Sequence, residues 1–269
     1  MQIGSLWFET LGERYRDRAI LLLHGFTGSH STWEMLSKRL VDEDYFLVLP
    51  DLPGHGRSAD SPAISVDQIC DSLLEILYDL KISKATILGY SMGARIALNF
   101  AIVYQSHTRS LILESCTPGI LDEAERQKRR LDDESLGKSI RRRGLDWFVD
   151  YWENLEVFAS QKSLDGGIRA RIRNERFSNS PIGLAKSLEG AGTGSMLPMW
   201  LKLRDIRVPV LLLAGEKDEK YISIAKEMKR KMPANSTLSI IKDSGHAPHI
   251  EDYPKFENTI ANFLRDVHS

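Results

Sequence analysis

An α/β chain with a mostly parallel twisted sheet is predicted by three observations. Short leucine-rich or β-branched runs recur between stretches of helical spacing, which calls for crossover connections. One run, Ala85-Thr86-Ile87-Leu88, passes through Gly89-Tyr90-Ser91-Met92-Gly93 directly into an apolar helical run. Between Gly119 and about Arg204 the strand rhythm stops, and the chain becomes helix-prone and arginine-rich, as expected of a helical lid insertion.

The elements follow in order. Strands are expected at 19–23, 45–49, 85–88 and 110–113, separated by helices at 31–40, 66–80 and 94–104. The insertion, 119–204, is punctuated by Gly166-Gly167, Pro181 and the glycines from Gly190 to Gly194. The rhythm then resumes with strands at 210–214 and 236–241 and helices at 222–232 and 254–267. Glu251-Asp252-Tyr253-Pro254 opens the last helix with acids and a proline, where a helix start prefers them. The expected division is a core from 1–118 and 205–269 with the lid between.

Composition narrows the function. With 269 residues, 42% of them hydrophobic, the chain can bury one sizeable core. A formal net charge of −1 gives no overall footprint for nucleic acid or an anionic membrane, so any attraction for anions is local. Cys70 and Cys116 lie far apart without metal-ligand spacing and read as buried small residues of a reducing compartment. The first twenty residues carry Glu9, Glu13, Arg14, Arg16, Asp17 and Arg18, so no apolar signal core is present, and no later run has the length of a membrane span. A cytoplasmic enzyme, monomeric or homodimeric, is expected. No cofactor is expected either, because zinc spacing, P-loop and dinucleotide fingerprint are all missing.

The chemistry sits where parallel sheets present it, at the carboxyl ends of strands. A serine between glycines at a strand-to-helix turn is a nucleophile elbow. Gly215-Glu216-Lys217-Asp218 and Asp243-Ser244-Gly245-His246 follow later strands, giving serine, acid and histidine in chain order. Ser91 is inert at its own pKa. His246 can take its proton, and Asp218 can hold the imidazole in the useful tautomer, with Glu216 and Asp243 as neighbouring acids that could stand in its place. Oxyanion donors are expected from the backbone N–H groups of Met92, after the nucleophile, and Phe26, in His24-Gly25-Phe26-Thr27-Gly28. The segment 51–58, DLPGHGRS, reads as a rigid loop in which His55 is structural.

Together, HGF-x-G, DLPGHG-x-S, GYSMG and SGHAPH resemble the α/β-hydrolase superfamily from about Ala19 to the C-terminus. The resemblance implies an eight-stranded, mostly parallel sheet flanked by helices. It leaves the reaction open, because this fold hosts many chemistries.

Finer features narrow it. Arg95 lies one helical turn after Ser91 and can face the same pocket. Between Arg126 and Arg143 there are eight basic residues against three acids. GYSMGAR, PG-x(6)-R-x-x-RR and SLEGAGTG resemble the family of 2-succinyl-6-hydroxy-2,4-cyclohexadiene-1-carboxylate synthases, menaquinone-pathway lyases that eliminate pyruvate from an enolpyruvyl precursor. That resemblance implies a Ser91, Asp218 and His246 triad, carboxylate-binding Arg95, Arg129 and Arg176, and pocket aromatics Tyr90 and Trp152. Arg126 and Arg130 are the alternatives to Arg129. A small polycarboxylate is then the partner, and planar guanidinium groups suit it. The ordinary reading of the same arginines is surface ion pairing on lid helices, worth about 0–1 kcal/mol each. A carboxylesterase or carbon–carbon bond hydrolase working through an acyl-serine is the competing enzyme.

Overall fold

The computed structural model describes residues 1–13 and 18–268; Arg14, Arg16 and Asp17 of the charged N-terminal stretch lie outside the described residues. Among those described, eight strands form one sheet in the order β1-β2-β4-β3-β5-β6-β7-β8. They are β1 (Gln2–Ile3), β2 (Leu6–Leu11), β3 (Ala19–Leu23), β4 (Phe46–Pro50), β5 (Ala85–Tyr90), β6 (Thr108–Glu114), β7 (Val210–Gly215) and β8 (Ser236–Ile241). From β4 to β8 all pairings are parallel; β1 and β2 add an antiparallel edge. The sequence rhythm missed that edge, because β2 (LWFETL) puts Glu9 and Thr10 on a half-buried strand and resembles no buried parallel run.

The central strands are buried on both faces, and strand parity divides them between two cores. In β3, Leu21 and Leu23 join Ile69, Leu73, Ile96 and Phe100 on one side, while Ile20 and Leu22 join Leu36, Leu40, Phe256 and Ile260 on the other. The helices supplying these faces are α1 (Glu34–Asp42), α2 (Val66–Asp79), α3 (Met92–Val103), α7 (Glu219–Lys231) and α9 (Tyr253–His268). Ser65 caps α2 by accepting from the Gln68 N–H, and the Gln68 side chain answers the Ser65 N–H, so the helix begins where the sequence places it. The first turn of the expected 31–40 helix is a 3-10 turn over His30–Trp33, held by a Ser29 cap.

Between β6 and β7 the chain forms α4 (Glu123–Glu153), α5 (Gly166–Phe177), α6 (Pro181–Ala191) and two 3-10 stretches, with no strand among the described residues. These helices have their own small core of Ile140, Phe148, Val149, Leu184 and Leu188, to which Phe26 of the sheet's edge loop is packed. α4 is broken at Gly144, whose φ of 79° and ψ of −178° lie in a region only glycine occupies readily. The short α8 (Pro248–Glu251) leads from the end of β8 into α9. Cys70 and Cys116 are free and buried. Among the described residues no helix is long and apolar enough to cross a membrane.

Candidate active site

Ser91 stands between β5 and α3 with φ 50° and ψ −103°, an unfavourable backbone for a residue with a side chain. Close packing enforces it. A Cβ on Gly89 would run into the backbone of Gly93, and a Cβ on Gly93 into the carbonyls of Leu23 and His24, so only glycines let the turn nest against β3. The hydroxyl thereby reaches His246. Ser91 Oγ lies 3.1 Å from His246 Nε2, and His246 Nδ1 lies 2.7 Å from Asp218 Oδ2. A carboxylate only accepts, so Nδ1–H donates to Asp218 and Nε2 is left to receive the serine proton. The second Asp218 oxygen accepts the Tyr221 N–H at 3.2 Å, which fixes the carboxylate at the start of α7. The alternative acids are turned elsewhere: Glu216 accepts the Asp243 N–H at 3.0 Å, and both are exposed.

Two further histidines hold the loop that follows β3. His24, fully buried, donates from Nδ1 to the Gly25 carbonyl at 2.8 Å and accepts the Leu52 N–H at Nε2, 2.9 Å away. His55, also buried, donates from Nδ1 to the Pro53 carbonyl and accepts the Thr27 N–H at 3.2 Å. Both roles need neutral rings. Burial lowers the pKa of His24 and takes that of His55 down to about 3. His55 is structural, as its loop suggested. Gly25 leans on the residue before the nucleophile, since a Cβ there would sit 2.5 Å from the Tyr90 ring. Phe26 follows it. Met92 is the first residue of α3, and its N–H therefore lacks an intrahelical acceptor and joins the positive end of the helix dipole beside Ser91.

The arginines differ from one another. Arg95 is buried, yet no carboxylate among the described residues lies within ion-pair range. Its Nη1 donates to the Ala191 carbonyl at 2.9 Å and to Met196 Sδ at 3.4 Å, so the helical segment holds the side chain without neutralising it. Burial lowers its pKa, and the charge of Arg129 adds to the effect. Arg129 gives Nε to Asp133 Oδ1 at 2.9 Å and remains half-exposed. The alternatives are otherwise engaged: Arg126 donates to the Ile120 carbonyl at 3.2 Å, and Arg130 lies more exposed, near Glu134. Arg176 is buried beneath Phe158, 5.1 Å from its ring centroid, and gives Nη2 to Gln161 at 3.1 Å; Glu153 approaches only to 3.9 Å.

The aromatics join these parts. The Tyr90 ring sits 5.6 Å from His246 and 4.5 Å from His249. Trp152 packs 5.2 Å from Phe26 and 5.8 Å from Phe158, and its buried Nε1 has no acceptor among the described residues. Arg176, Gln161, Phe158 and Ile172 line a cavity of about 440 Å³ in the helical segment, and also a small one of about 40 Å³ that reaches the Gly25–Gly28 loop and Tyr90. Arg95 and Arg129 lie close enough to Tyr221, whose ring packs against His246, to act on it electrostatically.

Sequence reasoning missed Tyr221, whose ring centroid is 4.6 Å from that of His246. Its only signal was its place three residues after the acid. Glu114 was missed as well: the expected strand stopped at Leu113, and a fully buried carboxylate extends it.

An elbow serine bonded to a strand-end histidine and acid, on a mostly parallel sheet with β1 and β2 at its edge, defines a class. The chain belongs to the α/β-hydrolase fold family, whose model matches residues 18–253. A relative from Bacillus subtilis (strain 168), provisionally named a 2-succinyl-6-hydroxy-2,4-cyclohexadiene-1-carboxylate synthase, is 41% identical over 253 residues, covering 93% of this chain and 91% of its own. One from Citrobacter koseri, carrying that synthase name outright, is 32% identical over 91% of this chain and 93% of its own. The solved structure of MenH from S. aureus superposes with a TM-score of 0.92 at 38% identity, over 97% of this chain and 99% of that one.

Proposed function

We propose that this chain is a 2-succinyl-6-hydroxy-2,4-cyclohexadiene-1-carboxylate synthase, a lyase of menaquinone biosynthesis that releases pyruvate from 2-succinyl-5-enolpyruvyl-6-hydroxy-3-cyclohexene-1-carboxylate. The observation that carries it is Arg95: a buried guanidinium without a carboxylate, one turn from a serine in bonding contact with His246. A buried cation is retained at a cost unless something pairs with it. The precursor brings three carboxylates, and Arg95, Arg129 and Arg176 are the groups to receive them.

In this reading Ser91, with His246 taking its proton, is the general base. The ring C–H next to the succinyl ketone breaks, and its electron pair moves onto the ketone oxygen. That enolate is met by the N–H groups of Phe26 and Met92, each such donor being worth about 3 kcal/mol. Return of the electrons forms the ring diene and breaks the bond to the enolpyruvyl oxygen, which departs and becomes pyruvate on protonation. The step is redox-neutral and requires no cofactor. The helical segment 119–204 serves as a lid whose Trp152, Arg129 and Arg176, together with Arg95 of α3, hold the substrate so that its ring proton comes within reach of the serine. The substrate is a water-soluble trianion, which suits a cytoplasmic enzyme.

The test supplies the enolpyruvyl precursor and follows pyruvate with a coupled dehydrogenase. Turnover that requires Ser91 supports the reading. Rapid hydrolysis of p-nitrophenyl acetate with a burst, and no pyruvate, would assign the triad to acyl transfer instead.

A further inference from the structure

The end of β6 touches both halves of the proton relay. The Ser91 N–H donates to the Glu114 carbonyl at 2.9 Å, and the next residue, Ser115, donates its hydroxyl to the His246 carbonyl at 2.8 Å. The Glu114 side chain binds the same loop three residues further on. Its Oε1 accepts the His249 N–H at 3.0 Å and His249 Nδ1–H at 2.9 Å. The His249 ring then backs Tyr90, whose other neighbour is His246.

None of this is cheap to build. Glu114 and His249 are both buried, and Glu114 Oε2 and His249 Nε2 have no hydrogen-bond partner among the described residues. Ser115 has a φ of 50°, a left-handed backbone like that of Ser91. An apolar pair of similar size would pack here without those penalties. What a hydrophobic pair lacks is direction: two donors converging on one carboxylate oxygen fix how the His246–His249 loop sits against β6.

We propose that Glu114, Ser115 and His249 are positioning residues that clamp the histidine loop to the strand beside the nucleophile, setting the distance from Ser91 Oγ to His246 Nε2. None of them bonds to Ser91 Oγ or to the His246 ring, although His249 reaches the wall of the small cavity beside Tyr90. Their effect passes through the backbone carbonyl of His246 and through Tyr90, so loosening the clamp slows proton removal and leaves carboxylate binding alone. The proposal rests on the synthase reading for its consequence in turnover, while the clamp itself is a property of any Ser91–His246 pair.

The experiment uses His249→Phe, His249→Asn and Ser115→Ala in the full chain. Phenylalanine keeps a ring beside Tyr90 and loses the donor to Glu114; asparagine keeps a side-chain N–H near the place of Nδ1. The first readout is the rate at which a fluorophosphonate labels Ser91. There the Oγ–P bond forms, fluoride leaves and His246 takes the proton, whatever the natural substrate. Labelling should fall about tenfold or more in His249→Phe and Ser115→Ala and stay within about threefold in His249→Asn. The second readout is pyruvate release from precursor carrying deuterium at the abstracted position. kcat should fall with KM unchanged, and the isotope effect on kcat should grow as proton removal becomes slower. Thermal melts report the folded fraction for each variant. Wild-type labelling in His249→Phe and Ser115→Ala overturns the clamp, as does a loss that follows the folded fraction alone. Altered labelling in these variants, with no pyruvate released by the wild-type protein, upholds the clamp and rejects the synthase reading.

Discussion

The strand ends and the helical segment face each other across one site and are built on opposite terms. At the strand ends the polar groups that do chemistry have protein partners: Ser91 to His246, His246 to Asp218, Asp218 to Tyr221, and the neutral His24 and His55 on loop backbone. Of the groups proposed to recognise a substrate, Arg129 has Asp133, but the others are left short. Among the described residues Arg95 has a carbonyl and a thioether, Arg176 a side-chain amide and a distant carboxylate, and Trp152 Nε1 no acceptor. Preorganised catalytic groups gain rate by being already placed, whereas binding groups gain affinity by being unsatisfied until the ligand arrives.

The comparison can be broken most forcefully at the strand ends. Ser91→Ala should lower pyruvate release by roughly 10⁴-fold or more, as removal of a triad serine does elsewhere. Calorimetric affinity for the precursor should stay near wild type. A variant that kept its turnover would show that the relay plays no part.

Acid should attack the same half. His24 and His55 have folded pKa values below the 6.5 of the open chain, and His55 is near 3. The unfolded chain therefore binds more protons than the native one below pH 6.5, and stability falls as pH drops from 6.5 towards 3, being fully present above that window. Chemical denaturation at a series of pH values should show this slope, and His55→Asn should flatten it while lowering stability at neutral pH.

The groups proposed to bind substrate should respond in the opposite sense. Arg95→Gln is expected to raise KM about 10- to 100-fold, the worth of charge-assisted hydrogen bonds to a carboxylate, with a much smaller change in kcat. The melting temperature without substrate should hold or rise, because a buried uncompensated charge has been removed. A lower melting temperature with unchanged KM would make Arg95 a structural group and erase the distinction. Trp152→Phe is the mildest probe. It keeps the aromatic packing against Phe26 and deletes the unpartnered N–H, so KM should rise by a few-fold with stability unchanged.

Legibility in the sequence follows the same line. The parallel strands and the hydrogen-bonded set of Ser91, His246 and Asp218 were readable because each is local: a buried apolar run, then the turn that follows it. Asp218 could be separated from Glu216 and Asp243 only once the loops were folded, since the choice depends on which carboxylate faces Nδ1 of His246. The antiparallel edge escaped because β2 carries polar residues on a half-buried face. Arg129 could not be told from Arg126 and Arg130 by spacing, since what separates them is the partner each finds: Asp133, backbone carbonyls or a partly buried Glu134. Glu114 and Tyr221 carry no motif of their own and gain meaning only from neighbours distant in the chain.

The reversal at Gly144 has a bearing on how such a pocket could be reshaped. It divides α4 into a basic rod, from Glu123 onward, and an aromatic rod that carries Trp147, Phe148 and Trp152. A methyl group at position 144 would meet no atom within 4 Å, so the backbone alone excludes a side chain there. One residue without a side chain thus sets the angle between the charged and the apolar walls, and a change at that single joint would re-aim both without altering the chemistry of either.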